Sequence, residues 1–225
     1  MDVFASTLKG AASGNAVSNT DIFSNTLKQA AQTALTPIYP ALNKVRILGF
    51  DPGAGKMGWA VLDYYPDTKN YVVVATGCWD GLKLIKTYKE LTKNFGKHYT
   101  ILMAIHEAAC KLISEWVPTV VGSEGAFHHK FPQVHASLTL VIHSVRRAAH
   151  DTLNQDVEIV APMETKKMIA KNHMANKDQM KAAVLHKTDI TFADGIDYQN
   201  LTEHEYDAIG HGYTAYQKII QSDKK

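Results

Sequence analysis

The stretch Val45-Arg-Ile-Leu-Gly-Phe-Asp51-Pro-Gly-Ala-Gly-Lys-Met-Gly58-Trp-Ala-Val-Leu-Asp63 decides how this chain folds. Val45 to Phe50 is apolar except for Arg46 and Gly49, and it ends on an acid, as a buried strand does where it emerges from a sheet. Pro52, Gly53 and Gly55 mark a turn, and Trp59 to Asp63 resumes as a strand. Tyr71-Val-Val-Val-Ala-Thr76 follows after the turn residues Pro66 and Asp67. Three strands joined by short turns predict an antiparallel meander. Gly53, Gly55 and Gly58 suggest a phosphate loop, but the spacing is not GxxxxGK[ST] and a strand rather than a helix comes next. That excludes a nucleotide cradle.

Downstream the period changes. Ile101, Leu102, Ile105, Ala108, Ala109, Leu112 and Ile113 recur at helical spacing between about Tyr99 and Trp116. Pro118-Thr-Val-Val-Gly-Ser-Glu124 is a short apolar strand ending in a carboxylate. Gln133 to Leu153 predicts a long helix, Asp156 to Val160 a strand, and Met163–Lys171, Asn176–Leu185 and Thr202–Ile220 three further helices. Strands first, then alternating helix and strand, predict an α/β domain of three layers with a mixed sheet between helices.

The first 44 residues have a different composition. They are rich in Ala, Ser, Thr and Asn, and a pattern recurs 19 residues apart, Phe4 to Ala12 and Phe23 to Ala31. Each copy fits a short amphipathic helix. This segment is an appendage packed on the domain, or a docking arm; lack of any Arg before Arg46 weakens a transit-peptide reading. The expected organisation is an appendage over 1–44 and a folded domain over 45–225.

Composition narrows the class. In 225 residues, 45% hydrophobic and 20% charged content is that of a globular chain. Cys78 and Cys110 alone build no disulfide framework and fit a reducing compartment. No apolar run approaches the roughly 20 residues of a membrane span, so a soluble, cytoplasmic protein is expected, with no membrane partner. Lys plus Arg number 24 against 22 Asp plus Glu, a net charge of +2. That sum argues against coating nucleic acid by bulk charge. Position matters more: between Ala161 and Lys187 six lysines (166, 167, 171, 177, 181 and 187) face only Glu164 and Asp178. Such a segment is a solvated helix face or a phosphate-binding one, and Lys130, Arg146 and Arg147 would extend it.

Three acids sit where an open sheet puts its chemistry. Asp51 and Glu124 end strands, and Asp207 follows His204 by three residues on one helix face. Read singly, Asp51-Pro-Gly is a turn, Glu124 marks emergence into solvent, and His204 with Asp207 is a solvated helix start. Read together, three carboxylates and a His repel unless cations lie between them. Two divalent ions roughly 4 Å apart activate water and stabilise both oxygens of a phosphodiester displacement. Hard oxygen donors with few imidazoles suit Mg²⁺ or Mn²⁺.

Taken in order, these segments resemble the RuvC family of Holliday junction resolvases, within the ribonuclease H-like superfamily. Leu48 to Ala60 is similar to the family's opening strand with its metal-binding aspartate. Val120-Val-Gly-Ser-Glu124-Gly-Ala-Phe127 resembles its second motif, an acid followed three residues later by an aromatic. His204-Glu-Tyr-Asp207-Ala208 resembles its terminal motif. Ala161-Pro-Met-Glu-Thr-Lys166-Lys167 and Ala175-Asn-Lys177-Asp-Gln-Met180 resemble its two lysine segments.

The resemblance implies a ribonuclease H-like fold with a mixed five-stranded sheet. It implies a homodimeric, metal-dependent endonuclease that resolves four-way DNA junctions by paired nicks leaving 5′-phosphates. Asp51, Glu124, His204 and Asp207 would hold two Mg²⁺ or Mn²⁺ ions per site, with Lys166 also catalytic. Phe127, Lys130, Lys166, Lys167, Lys177 and Lys181 would meet DNA, Phe127 by stacking at the unstacked crossover. Residues 1–44, the segment Ala170–Ala175 and the bulky, basic Phe127-His-His-Lys-Phe-Pro132 depart from the family pattern. They point to a bacteriophage-type member working in a bacterial host cytoplasm. Two alternatives are a nuclease for other branched DNA or RNA–DNA hybrids, and a junction-binding protein that does not cut.

Overall fold

The computed structural model describes residues 43–127 and 131–222. The two N-terminal repeats and Lys130 lie outside the described residues. The opening strands are β1 (Val45–Asp51), β2 (Lys56–Tyr65) and β3 (Asn70–Asp80), and they form the expected antiparallel meander. β1 and β2 pair from Val45 opposite Tyr64 to Asp51 opposite Gly58. β4 (Val120–Glu124) runs parallel to β1 on its other edge, with Phe50 beside Ser123. β5 (Glu158–Val160) continues that edge in parallel.

The sheet has six strands rather than the expected five, in the order β5-β4-β1-β2-β3-β6. β6 (Ile190–Phe192) pairs in parallel with Tyr71–Val73 of β3. Three residues are too few for a two-residue period to show, and only the partner strand makes this segment extended. Two short helices, α1 (Gly81–Thr87) and α2 (Lys89–Phe95), were also not expected from the sequence. α1 starts where the Asp80 carboxylate accepts from the backbone N–H groups of Leu82 and Lys83.

Alternation along β1 sorts the two faces. Leu48 and Phe50 enter a core with Met57, Val61 and Val121. That core is closed by Ile105, Ala109 and Ile113 of α3 (Lys97–Trp116) and by Val141 and Val145 of α4 (Pro132–Leu153). Ile47 enters the opposite core with Ala60, Leu62 and Tyr71. Helices α5 (Pro162–Ala170), α6 (Lys177–Leu185) and α7 (Glu203–Ser222) cover it through Ile169, Met180, Val184, Tyr206 and Ile209. No helix among the described residues is long and apolar enough to cross a membrane.

α7 lies unusually close to the sheet. A methyl group on Gly49 would overlap the carbonyl oxygen of Ala208 and lie 2.7 Å from the backbone nitrogen of Gly212. One on Gly122 would lie 2.5 Å from the Ala215 side chain. Backbone and small side chains therefore meet where larger residues would hold the helix off. Gly49→Ala should destabilise the fold by about 1–3 kcal/mol, the usual effect of overpacking, read as a lower denaturation midpoint. Gly55→Ala is the control, because a methyl there meets no atom within 4 Å.

Candidate active site

Strand alternation aims both carboxylates at α7. Asp51 follows Ile47 and Gly49 on the α7 face of β1, and Glu124 follows Gly122 on the same face of β4. The parallel register makes the two strand ends neighbours. α7 begins immediately above them. The Glu205 carboxylate accepts from the Thr202 backbone N–H and from its hydroxyl, both at 2.8 Å, and this cap fixes the first turn. On that helix His204, Asp207 and His211 follow one another by three and four residues, so they share one face.

His204 Nδ1 lies 2.7 Å from Asp51 Oδ2. His211 Nε2 lies 3.1 Å from Glu124 Oε2 and 3.8 Å from Asp51 Oδ1. One donor atom each from Asp51, Glu124 and His211 falls within 4.8 Å of the others. Behind the cluster, the Thr165 hydroxyl of α5 is 3.1 Å from His211 Nδ1. At its rim Lys177 Nζ is 2.6 Å from Glu203 Oε2, and Glu203 Oε1 is 3.7 Å from His204 Nε2.

Burial sets the electrostatics. It pushes the Asp51 carboxyl upward, but the hydrogen bond from His204 and the proximity of His211 outweigh it, so the pKa of Asp51 is lowered. The bond to Asp51 raises the pKa of His204 against a smaller burial effect. Burial disfavours a charged His211, yet Asp51 and Glu124 together hold its pKa above the ordinary imidazole value. Asp207 has no such partner. Burial, then the charges of Asp51 and Glu124, push its pKa up to about 6. Lys177 is raised mainly by its bond to Glu203, with Asp207 and Asp51 adding to it.

The structure places Asp51, Glu124 and His204 in one cluster through His211 and a direct His204–Asp51 bond, and brings Asp207 and Lys177 within electrostatic reach of Asp51. Lys166 is half-buried on α5 beside Thr165, while Lys167 and Phe127 are exposed. Lys181 is turned elsewhere: its amine donates to the Gln199 carbonyl at 3.0 Å and lies 5.4 Å from the Tyr206 ring centre. These contacts tie it to the segment leading into α7. His211 is the residue the sequence reading passed over. Its signal was there, seven residues after His204 on the same helical face, but a lone His between Gly210 and Gly212 also reads as core. The donors suit a divalent cation: a buried and a half-buried carboxylate converge with imidazoles that are themselves oriented by protein groups.

No family model and no curated protein matches the sequence. Solved structures do. RuvC of Thermus thermophilus superposes with a TM-score of 0.57 at 17% identity, over 78% of this chain and 96% of that one. The same organism's RuvC in complex with a Holliday junction substrate gives 0.60 at 18%, with the same coverage. The yeast mitochondrial Holliday junction resolvase Ydc2 gives 0.54 at 14%, over 88% of this chain and 89% of its own. This chain has the RuvC fold. In this fold the acid cluster lies where β1 and β4 end.

Asp207 makes a stability prediction for the protein treated with chelator. Its folded pKa of about 6 stands above the ordinary 3.8, so the folded state keeps a proton that the unfolded chain releases. The resulting destabilisation is absent below the lower value and complete above the higher one. Asp207→Asn should therefore raise stability at neutral pH by on the order of 3 kcal/mol. The gain should vanish near pH 3.5 when denaturant melts of the two proteins are compared.

Proposed function

We propose that this protein is a metal-dependent endonuclease that resolves four-way DNA junctions, acting as a homodimer with one site for each of two opposed strands. The observation that carries the reading is the convergence of Asp51, Glu124, His204 and His211 at the strand ends of a RuvC fold. Asp51, Glu124, His204 and Asp207 are the residues assigned to Mg²⁺ or Mn²⁺, with two ions per site. Ions held there would supply Lewis acidity for in-line attack of water on the phosphodiester, with a 5′-phosphate and a 3′-hydroxyl as products.

The chain's own groups bind and orient. Asp51 stays ionised because His204 donates to it, so its oxygens remain acceptors at neutral pH. Asp207, with a pKa near 6, is the acid whose ionisation depends most on an added cation. Lys166, Lys167 and Lys177 line the α5 and α6 side and take the phosphates flanking the cut. Lys130 is assigned to the same role. Phe127, exposed three residues beyond Glu124, stacks on a base where the crossover is unstacked, an interaction worth about 1–3 kcal/mol.

Three outcomes test this. Asp51→Asn should keep binding to a mobile four-way junction while nicking in Mg²⁺ or Mn²⁺ falls by orders of magnitude; unchanged cutting refutes the assignment. Phe127→Ala should slow cleavage of an intact junction more than that of a flapped or nicked duplex, and equal loss on all substrates refutes the stacking role. Lys177→Ala should flatten the dependence of log binding constant on log salt by about one unit of slope, as read from junction titrations at several ionic strengths.

A further inference from the structure

His211 is not among the residues that the nuclease reading above assigns to metal, yet its ring is the most constrained in the site. The side chain is 5% exposed and reaches both carboxylates through Nε2. Its other nitrogen faces the hydroxyl of Thr165, itself 1% exposed. With a partner on each nitrogen, the ring cannot flip without losing one of them. α5 is held near enough to supply that partner because Gly210 has no side chain: a methyl there would lie 3.0 Å from Thr165 Cγ2. Protein ligands to metals have this arrangement, one imidazole nitrogen aimed at the site and the other N–H held by a neighbouring acceptor. A threonine hydroxyl accepts from Nδ1–H, so a cation that displaces the Nε2 proton would meet the Nε2 lone pair beside Asp51 and Glu124.

We propose that His211 is a direct ligand, through Nε2, of the divalent ion held by Asp51 and Glu124, with Thr165 as its positioning residue. The proposal rests on the metal-site reading given above. An imidazole in place of an oxygen donor also sets the choice of ion. Mg²⁺ demands near-octahedral oxygen and gives up water reluctantly, whereas Mn²⁺ accepts nitrogen readily. This site therefore prefers Mn²⁺ to Mg²⁺, and His211 is the source of the preference.

The full-length protein, without DNA, is titrated with Mn²⁺ and with Mg²⁺ by calorimetry, and the Mn²⁺ form is studied by pulsed electron paramagnetic resonance. The spectrum of the unmodified chain should carry the nitrogen coupling of a bound imidazole. His204→Asn should retain a nitrogen coupling, and His211→Asn should lose the His211 contribution together with most of the Mn²⁺ preference. Thr165→Val keeps the imidazole and serves if His211→Asn does not fold. It should weaken Mn²⁺ binding about 10–100-fold and alter the coupling, and Thr165→Ser should restore both. Bound Mn²⁺ with no nitrogen coupling, or with a coupling abolished by His204→Asn alone, overturns the ligand role and leaves the metal site standing. Unchanged Mn²⁺ affinity in Thr165→Val overturns the positioning role. Failure of the unmodified, folded protein to bind Mn²⁺ overturns the metal site and this proposal together.

Discussion

The site depends on how closely α7 can approach the sheet. Gly49 and Gly122 remove the side chains that would stand between β1, β4 and the helix, and Ala208, Gly212 and Ala215 keep the helix surface thin at the same level. Everything polar follows from that contact. Once the helix axis is held there, residues at three- and four-residue spacing face the sheet, and acids at the strand ends face the helix. A helix one side chain further out would leave His204 and His211 too far from Asp51 and Glu124 for hydrogen bonds of 2.7 and 3.1 Å. The glycines that look like flexibility in the sequence are therefore the source of rigidity in the site.

Close packing has an electrostatic consequence. It removes water from carboxylates that would otherwise be solvated, and unpaired buried charge is strongly unfavourable. Asp51 is matched by two histidines and its pKa is lowered, while Asp207 has no matched partner and shows it in a raised pKa. The contrast with Asp63 is instructive. That carboxylate is also buried, but Arg46 grips both its oxygens and Lys44 adds a third contact. Asp63 is a completed pair that ties β1 to β2. The α7 cluster holds more acid than its histidines complete, which leaves carboxylate oxygens that could accept a cation.

How much of this was legible in the sequence follows from the range of the interactions involved. The meander could be read because β1 to β3 are long, apolar and punctuated by Pro and Gly, all of which are local signals. That Asp51, Glu124, His204 and Asp207 lie near one another could be anticipated, because two of them end apolar strands and two share one face of a helix. β6 and the helices α1 and α2 could not, since three to seven residues carry too little period to stand out. The contact made by Lys181 was not legible for a related reason. Its amine is taken by the Gln199 carbonyl, 18 residues away, and no local pattern announces that bond. His211 was hidden differently: its partners Thr165 and Glu124 are 46 and 87 positions away, and in the sequence it resembles a small-residue stretch of buried helix.

Net charge is the remaining term, and it too is a matter of position. A total of +2 describes no surface. α5 and α6 turn Thr165, Ile169, Met180 and Val184 inward, and this leaves Lys167 and Lys177 on the outward side of the same helices. The inward face supports the acid cluster and the outward face presents cations beside it, so one packing arrangement separates the two signs. Lys177 shows how closely they abut, being paired with Glu203 at 2.6 Å while both remain largely exposed. An exposed pair of this kind contributes about 0–1 kcal/mol, little enough for a polyanion to displace Glu203 from the amine. Acid and base are therefore kept apart by the helix backbone and joined only by a bond weak enough to exchange.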